Sequence, residues 1–338
     1  MRCHRFNSRQ QHGAALVIAM LVFALCSALV VAMQKEFTLF YQRGSNVFLA
    51  EQAYAYLRGA EDLAAMALVL DADADQGKDA PRDDLQEIWA QPPTPYTLDE
   101  GGWLMGSLED LQGRFNLNTL LPAARTESGS VKYSASQQQF IRLLQALPEL
   151  EISQQQAVVI TQSIGDWLDS DSIASVNGAE DDFYSGLEPP YRSANRPMMS
   201  VTELQAISNI TPQIYRALAP WVSVWPQEGG TLNIHTAPAM VLRTINADGD
   251  LQPLSEIDAT SLVEYRDSTG FADIADLLAQ PALAGKQLDE VTPLLGETSN
   301  YFLLAAEAEV AERQVRLYSV LERRGRAINA LARASGSL

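Results

Sequence analysis

The chain has 338 residues, of which 47% are hydrophobic and 20% are charged, and its formal net charge is −18 at pH 7. A chain of this length and apolar content can bury a substantial core and suggests two domains. So negative a chain repels phosphate backbones, which argues against nucleic acid as a partner. The two cysteines, Cys3 and Cys26, both lie near the N-terminus, so the rest of the chain is stable without a disulfide.

The first predicted element is a membrane-spanning helix. Ala14–Met33 is an uncharged stretch that as a helix spans about 30 Å, the thickness of a bilayer core. The leader before it carries Arg2, Arg5 and Arg9 and ends at Gly13. Basic residues on this side predict a single-pass protein with its N-terminus in the cytoplasm and the rest of the chain on the other side of the membrane.

The leader differs from an ordinary secretory signal. Such a signal has an apolar region of about 7–15 residues followed by a small-residue cleavage site. Here the apolar run is longer, and the small residue, Gly13, precedes it. The arrangement resembles a prepilin leader, which a membrane peptidase cuts after glycine. A plain signal anchor is the alternative.

Helical spacing of apolar residues continues beyond the membrane stretch. The pattern predicts one long helix over residues 14–70, membrane-embedded over 14–33 and amphipathic afterwards. It is predicted to end where the acidic sequence DADAD begins at Asp71.

Strands are predicted on either side of a helical middle. Gly102–Asn118 is typical of two short strands around a turn, and the alternation within Tyr301–Arg323 predicts an antiparallel hairpin. We therefore predict an α+β fold with a large all-α insertion. The predicted division is a leader (1–13), the long helix (14–70), the first part of an α/β unit (71–122), the inserted helical domain (123–295), the second part of the unit (296–325) and a flexible tail (326–338).

An acidic loop at residues 165–191 is the strongest candidate for a binding site. Six carboxylates fall between Asp166 and Asp182, and no lysine or arginine occurs between Arg142 and Arg192. Hard oxygen donors on an irregular loop suit calcium, although the spacing is not that of an EF-hand. A solvated acidic loop without a metal is the alternative.

Catalysis has little support in the sequence. His235 is the single histidine beyond the leader, and its position between apolar residues favours a capping or packing role. The chain has none of the common nucleophile, phosphate-loop or zinc-protease motifs. We predict that the chain is not an enzyme; a membrane-tethered hydrolase using the acidic loop is the weaker alternative.

Several segments together resemble the minor pseudopilin K (GspK) family of type II secretion systems. The resemblance runs essentially from end to end and in the same order. The segments that carry it are Gly13-Ala14, DLQGRFNLNTL (110–120), GDWLDSD (165–171), GAEDDFY (178–184), PYR (190–192), SVTEL (200–204) and NIHTAPAMVL (233–242).

The resemblance implies a pilin-like long helix with a small antiparallel sheet and an inserted helix-hairpin-helix or SAM-like domain. It implies cleavage by prepilin peptidase between Gly13 and Ala14, and partnership with I- and J-type minor pseudopilins at a pseudopilus tip. It also implies an inner-membrane anchor with the bulk of the chain in the periplasm. It also implies structural calcium in the acidic loop. The candidate ligands are Asp169, Asp171, Glu180, Asp181 and Asp182.

Ile18 bears on the place of the chain in such an assembly. Pilin-like proteins usually carry glutamate at the fifth residue after the cut, where it neutralises the N-terminal amine of a neighbouring subunit. Counting from Ala14, the fifth residue here is Ile18. An unpaired charge in the membrane is costly, so an apolar residue suits a subunit with no neighbour ahead of it. The expected function is therefore to cap the tip of the pseudopilus that exports folded proteins across the outer membrane. A membrane-anchored calcium-binding or adhesive protein outside any fibre is the alternative.

Overall fold

The computed structural model describes residues 12–78, 80–99, 101–121, 133–148, 150–311 and 313–336. Most of the predicted leader, the predicted boundary at 122/123 and the last two residues of the predicted tail lie outside these ranges.

A single helix, α1 (His12–Asp75), dominates the N-terminal part. Its 64 residues extend for about 96 Å. Within the described ranges it is the one helix long and apolar enough to cross a membrane, and no residue of its apolar stretch is buried. Close packing against the rest of the chain begins at Ala53 and continues through Leu57 and Leu68.

The end of α1 at Asp75 corrects the prediction that the helix stops at residue 70. Carboxylates in the last turns oppose the helix dipole. Two arginines neutralise them: Arg323 of β8 lies 2.7 Å from Asp71, and Arg326, in the turn that follows β8, lies 3.2 Å from Asp73.

α1 packs on a five-stranded antiparallel sheet. The strands are β1 (Tyr96–Thr97), β2 (Trp103–Asp110), β7 (Tyr301–Val310), β8 (Arg313–Arg324) and β9 (Ala327–Ala334), adjacent in that order, with the intervening short strands of the chain placed elsewhere. Alternate residues of β7, from Phe302 to Val310, are buried, and Phe302, Leu304, Ala306 and Ala308 share a core with Leu57 and Leu68 of α1. The predicted C-terminal hairpin is thereby confirmed as β7 and β8.

One strand prediction was wrong. The tail predicted to be flexible contains β9, which pairs with β8 from Arg324↔Ala327 onward.

The two short strands predicted around a turn within Gly102–Asn118 are β2 and β3 (Phe115–Asn116), with a tight turn at Leu111–Gly113 between them. They do not pair with each other. β2 pairs with β7, and β3 pairs in parallel with β4 (Val222–Ser223).

The helical insertion occupies the chain between β2 and β7 and contains two cores. The first core, from Phe115 to Val224, forms around α2 (Ala135–Ala146) and α3 (Gln154–Leu168). Both helices begin with capping boxes, Ser134 with Gln137 and Ser153 with Gln156, which satisfy backbone N–H groups of the first turn. The remaining helices are α4 (Asp181–Tyr184), α5 (Pro212–Leu218), α6 (Ala239–Leu242), α7 (Glu256–Ser268) and α8 (Ile274–Ala279).

The second core, from Leu232 to Leu295, includes residues of α6, α7 and α8 and of the parallel pair β5 (Leu232–Asn233) and β6 (Leu295–Gly296). Arg142 of α2 ties it to the first core. Its buried guanidinium donates to the carbonyl oxygens of Asp250, Thr244 and Ala247 at 2.7–2.8 Å. Hydrogen bonds from a charged donor are stronger than neutral ones, so the two cores are joined by more than apolar contact.

A buried polar cluster connects α1, the sheet and the insertion. Arg323 of β8 donates to Asp71 of α1, to Asp83 and to the carbonyl oxygen of Ser299. Ser299 in turn donates to the carboxylate of Asp110 at 2.6 Å, and Asn233 of β5 donates to the same carboxylate at 3.0 Å. Asp110, at the end of β2, is therefore linked by side-chain hydrogen bonds to Asn233 of the insertion and, through Ser299, to Arg323 of the sheet.

Glu87 beside this cluster predicts a pH-dependent stability. Burial, followed by the charges of Asp71 and Asp83, raises the pKa of Glu87 to about 8 from its ordinary 4.5. The folded chain then keeps a proton that the unfolded chain has lost between those values, so stability falls as the pH rises through this window. We expect the full chain to melt at a lower temperature at pH 8 than at about pH 5.5.

Glu87→Gln should flatten that dependence, because the amide cannot lose a proton. Glu188→Gln, at an exposed position, is the matched control and should leave the slope unchanged. Thermal melting across this pH range measures both. A slope that Glu87→Gln does not alter would contradict the assignment.

Candidate metal centre in the acidic loop

Three of the predicted carboxylates converge at the two ends of one loop. Asp169 is the first residue after α3, Asp171 lies two residues further on, and Glu180 immediately precedes α4. One carboxylate oxygen from each lies within 4.8 Å of the others. The two ends of the loop therefore lie close together, with three acidic side chains between them.

Glu180 shows why a cation fits this place. The residue is 4% exposed, its Oε2 accepts a hydrogen bond from the hydroxyl of Ser193 at 2.9 Å, and its Oε1 has no hydrogen-bond partner within the described ranges. Burial, and then the nearby carboxylates of Asp169 and Asp166, raise the pKa of Glu180. Burial also raises the pKa of Asp169. A buried carboxylate oxygen without a partner is costly, and a hard divalent cation such as calcium satisfies it with oxygen ligands.

The other two predicted ligands lie beside this trio rather than in it. Asp181 begins α4, and its Oδ1 accepts a hydrogen bond from the backbone N–H of Ser193 at 3.0 Å. Asp182 is exposed in the first turn of the same helix. The structure thus groups Asp169, Asp171 and Glu180 and places Asp181 and Asp182 at the edge.

Asp166 is a buried carboxylate next to the loop that the predicted ligand set left out. It is fully buried, its Oδ2 accepts the backbone N–H of Ser175 at 2.9 Å, and its Oδ1 has no partner within the described part of the chain. Burial raises its pKa. Asp166 lies in the last turn of α3 and Asp169 is the first residue after the helix. The short spacing between these two carboxylates is the signal in the sequence that could have identified Asp166.

Gly178 predicts a sensitive position in the loop. An added Cβ would lie 1.8 Å from Oδ2 of Asp166, so Gly178→Ala must displace either the buried carboxylate or the loop. We expect Gly178→Ala to lower the melting temperature and to abolish any stabilisation by calcium. The matched control is Gly186→Ala, whose Cβ would meet its nearest atom, the oxygen of Phe183, at an ordinary 3.4 Å. Equal melting temperatures for the two variants would contradict this account.

The remaining predicted site residues lie at the start of α1. Gly13, Ala14 and Ile18 are all within the helix, and Ile18 is 62% exposed. His235, by contrast, has the predicted packing role. It is buried near Phe271, its backbone N–H donates to Asn233 at 3.0 Å, and burial lowers its pKa to about 4.

Comparison with known sequences identifies the family. The family described as "Type II secretion system (T2SS), protein K" matches residues 113–227 and, in a second part, 232–297. These two matches coincide closely with the two cores of the insertion. The chain is also 30% identical to type II secretion system protein K of Klebsiella pneumoniae, over 97% of this chain and 98% of that protein.

The chain belongs to the type II secretion system protein K family.

A second protein K, from Pseudomonas aeruginosa, is 34% identical over 93% of this chain and 90% of its own length. Among solved structures, a chain of the GspK-GspI-GspJ complex from enterotoxigenic Escherichia coli matches with a TM-score of 0.74 and 26% identity, over 88% of this chain and all of that one. The predicted α+β fold, with its pilin-like long helix and small antiparallel sheet, is confirmed by the structure and by this match. Protein K is named for its place in a secretion system and not for an enzymatic reaction.

Proposed function

We propose that this chain is the minor pseudopilin that caps the tip of a type II secretion pseudopilus and is needed for export of folded proteins across the outer membrane. The observation that carries the proposal is the likeness, over 88% of this chain, to a chain of the GspK-GspI-GspJ complex. The size of the helical insertion supports a terminal position, because a bulky domain on one subunit hinders addition of another above it.

The proposed location is the inner membrane, with a single span and the bulk of the chain in the periplasm. The first part of α1 supports this, since its apolar side chains from Leu16 to Met33 are exposed along the helix. Prepilin peptidase is proposed to cut between Gly13 and Ala14, which leaves the apolar helix on the mature protein. Recovery of an intact Met1 from a host with active peptidase would contradict this step.

The proposed partners are the I- and J-type minor pseudopilins. Large apolar side chains remain exposed on α1 beyond the membrane stretch, including Phe37, Phe40 and Phe48 at 68–75%. Exposed apolar surface of this kind marks an interaction site, and parallel α1 helices of partner subunits would cover it.

Co-expression with the I- and J-type subunits of the same system tests this assignment. We expect a ternary complex that survives size-exclusion chromatography, and Phe40→Glu together with Phe48→Glu should disrupt it. The control is Ile257→Glu, at an equally exposed aliphatic residue of α7. A chain that stays alone in every case would favour a membrane-anchored binding protein outside any fibre.

Ile18 provides a prediction about position in the assembly. With the cut at Gly13, Ile18→Glu places a carboxylate in the membrane where a tip subunit has no neighbouring amine to neutralise it. Because such a charge is costly in lipid, we expect secretion and tip assembly to fall, whereas Ile18→Leu preserves both. Secretion of a reporter exoprotein measures the effect. Unchanged secretion with glutamate would show that the missing carboxylate is not a requirement of the tip.

Calcium is the proposed structural cofactor of the acidic loop. The proposed ligands are Asp169, Asp171 and Glu180, with Asp181 and Asp182 as the flanking candidates. The support is the convergence of three carboxylates and the buried oxygen of Glu180 that lacks a partner in the described structure. The ion would neutralise these charges and hold the start of α4 against the end of α3.

A further inference from the structure

Two aliphatic side chains protrude from the loop that the carboxylates close. Ile173 is 72% exposed and Val176 is 75% exposed. The first core lies close by, since Trp167 and Tyr184, at either end of the loop, both belong to it. Burial of such side chains is favourable, yet the fold holds both of them outside the core.

The loop that carries them is firmly anchored. The backbone N–H of Ser175 donates to buried Asp166 at 2.9 Å, and the side chain of Asn177 donates to Gln162 of α3 at 2.9 Å. These contacts fix the backbone on both sides of Val176. An anchored loop loses little conformational entropy when a partner covers it, which is a property of a preformed binding surface.

The charge around the loop selects the chemistry of the partner. Six carboxylates fall from Asp166 to Asp182, and the segment from 143 to 191 contains no lysine or arginine. The region stays net negative even when Arg192 and Arg196, which follow it, are counted. One divalent cation at the trio offsets only two of these charges. Complementary charge favours association and suppresses wrong partners. A partner that binds this acidic loop therefore has a basic surface. Phospholipid surfaces are neutral or negative and do not offer that complement.

We propose that Ile173 and Val176 form a docking surface for a partner protein that presents an apolar recess bordered by lysine or arginine side chains. The proposal rests on the proposed function only in that calcium would stiffen the loop. The apolar pair supplies the contact area, and the surrounding carboxylates orient the basic rim of the partner.

Direct binding to a model ligand tests the surface. The full chain is held in phosphatidylcholine nanodiscs with calcium, and empty discs give the background. The probe is a rhodamine-labelled peptide of alternating lysine and leucine, compared with a lysine–serine peptide of equal charge. We expect the leucine peptide to bind more tightly. We also expect Ile173→Ser with Val176→Ser to weaken it about tenfold, while the leucine pair Ile173→Leu with Val176→Leu retains binding.

Ile257→Ser is the matched control, since Ile257 is 79% exposed and also stands between two carboxylates, Glu256 and Asp258. An equal loss in this variant, equal binding of the two peptides, or no binding above the empty discs would overturn the proposal. The proposal would also be overturned if Ile173→Ser with Val176→Ser weakened binding to phosphatidylglycerol vesicles but not to the peptide, because the surface would then bind lipid.

The melting temperature of each sample with and without calcium separates this proposal from that of the metal. If calcium still raises the melting temperature while Ile173→Ser with Val176→Ser does not change peptide binding, the docking surface alone is refuted. If Ile173→Ser with Val176→Ser loses peptide binding and calcium does not change the melting temperature, the docking surface is supported and the proposed calcium site is refuted.

Discussion

Replacement of Arg323 by alanine is expected to lower the free energy of unfolding of the full chain by about 3–5 kcal/mol near neutral pH, because it leaves buried charges without their partner. The side chains of Arg323, Asp71 and Asp83 are 9%, 4% and 1% exposed. The variant would bury two carboxylates with no cation between them. It would also remove the donor to the carbonyl oxygen of Ser299 and the contact of the guanidinium with the ring of Phe302, 4.9 Å away.

The loss should be smaller in acid. Burial raises the pKa of Asp83 to about 6, although Arg323 opposes this. Burial would lower the pKa of Arg323, but Asp83 and Asp71 together raise it. At neutral pH Arg323 and Asp83 therefore both remain largely ionised. Without the arginine Asp83 holds its proton more tightly, so its charge, and the cost of burying it, disappears as the pH falls through this range.

Urea unfolding followed by tryptophan fluorescence measures the effect, with the chain in detergent. Arg316 of the same strand provides the control: its side chain is 57% exposed and its partner Glu307 is 21% exposed. Arg316→Ala should leave stability unchanged within error. If the two variants unfold alike, the buried cluster does not hold the sheet to α1 in the way its geometry implies.

Chelation of calcium is expected to lower the melting temperature of the chain by about 5–10 °C, and added calcium should restore it. A ligand that binds only the native state at about a hundred times its dissociation constant contributes about 2.7 kcal/mol. For a unit of roughly 150–250 residues each kcal/mol corresponds to about 2–4 °C. The rings of Trp167, Tyr184 and Tyr191 contact one another next to the loop, so tryptophan fluorescence reports the change locally.

Variants of two glutamates on the loop give this experiment its control. Glu180→Gln removes the buried ligand and should abolish the calcium shift. Glu188→Gln changes an exposed carboxylate of the same segment and should retain it. If the melting temperature is the same in chelator and in calcium, the proposed calcium site is wrong and the segment is an acidic loop without a metal.

Elements stabilised by local contacts could be predicted from the sequence. The alternation along Tyr301–Val310 indicated β7, and its continuation beyond the turn indicated β8. β9 could not be predicted in this way, because its alanines favour strands only weakly and its stability comes from pairing with β8. The end of α1 was also missed, since the arginine that neutralises Asp71 lies 252 residues away.

The candidate site could be predicted in part for the same reason. Asp169, Asp171 and Glu180 are close in sequence, so a single loop can bring them together, and their density indicated a cation. The burial of Asp166 could not be predicted, because Gly178 packs against its carboxylate only in the folded loop. The exposure of Ile173 and Val176 could not be expected either, since aliphatic residues are ordinarily assigned to the core.

The register of the sheet has a consequence for how such a protein arises. Asp110 of β2 stands opposite Phe302 of β7, so the chain leaves the sheet and returns to it at two points only about 5 Å apart. A hairpin turn of two to five residues would close the same pair of strands. The sheet therefore places no constraint on the length of chain between them. An ancestral subunit could acquire, enlarge or lose residues 111–300 without re-pairing any strand of the five-stranded sheet, and differences in length among homologues should be concentrated there.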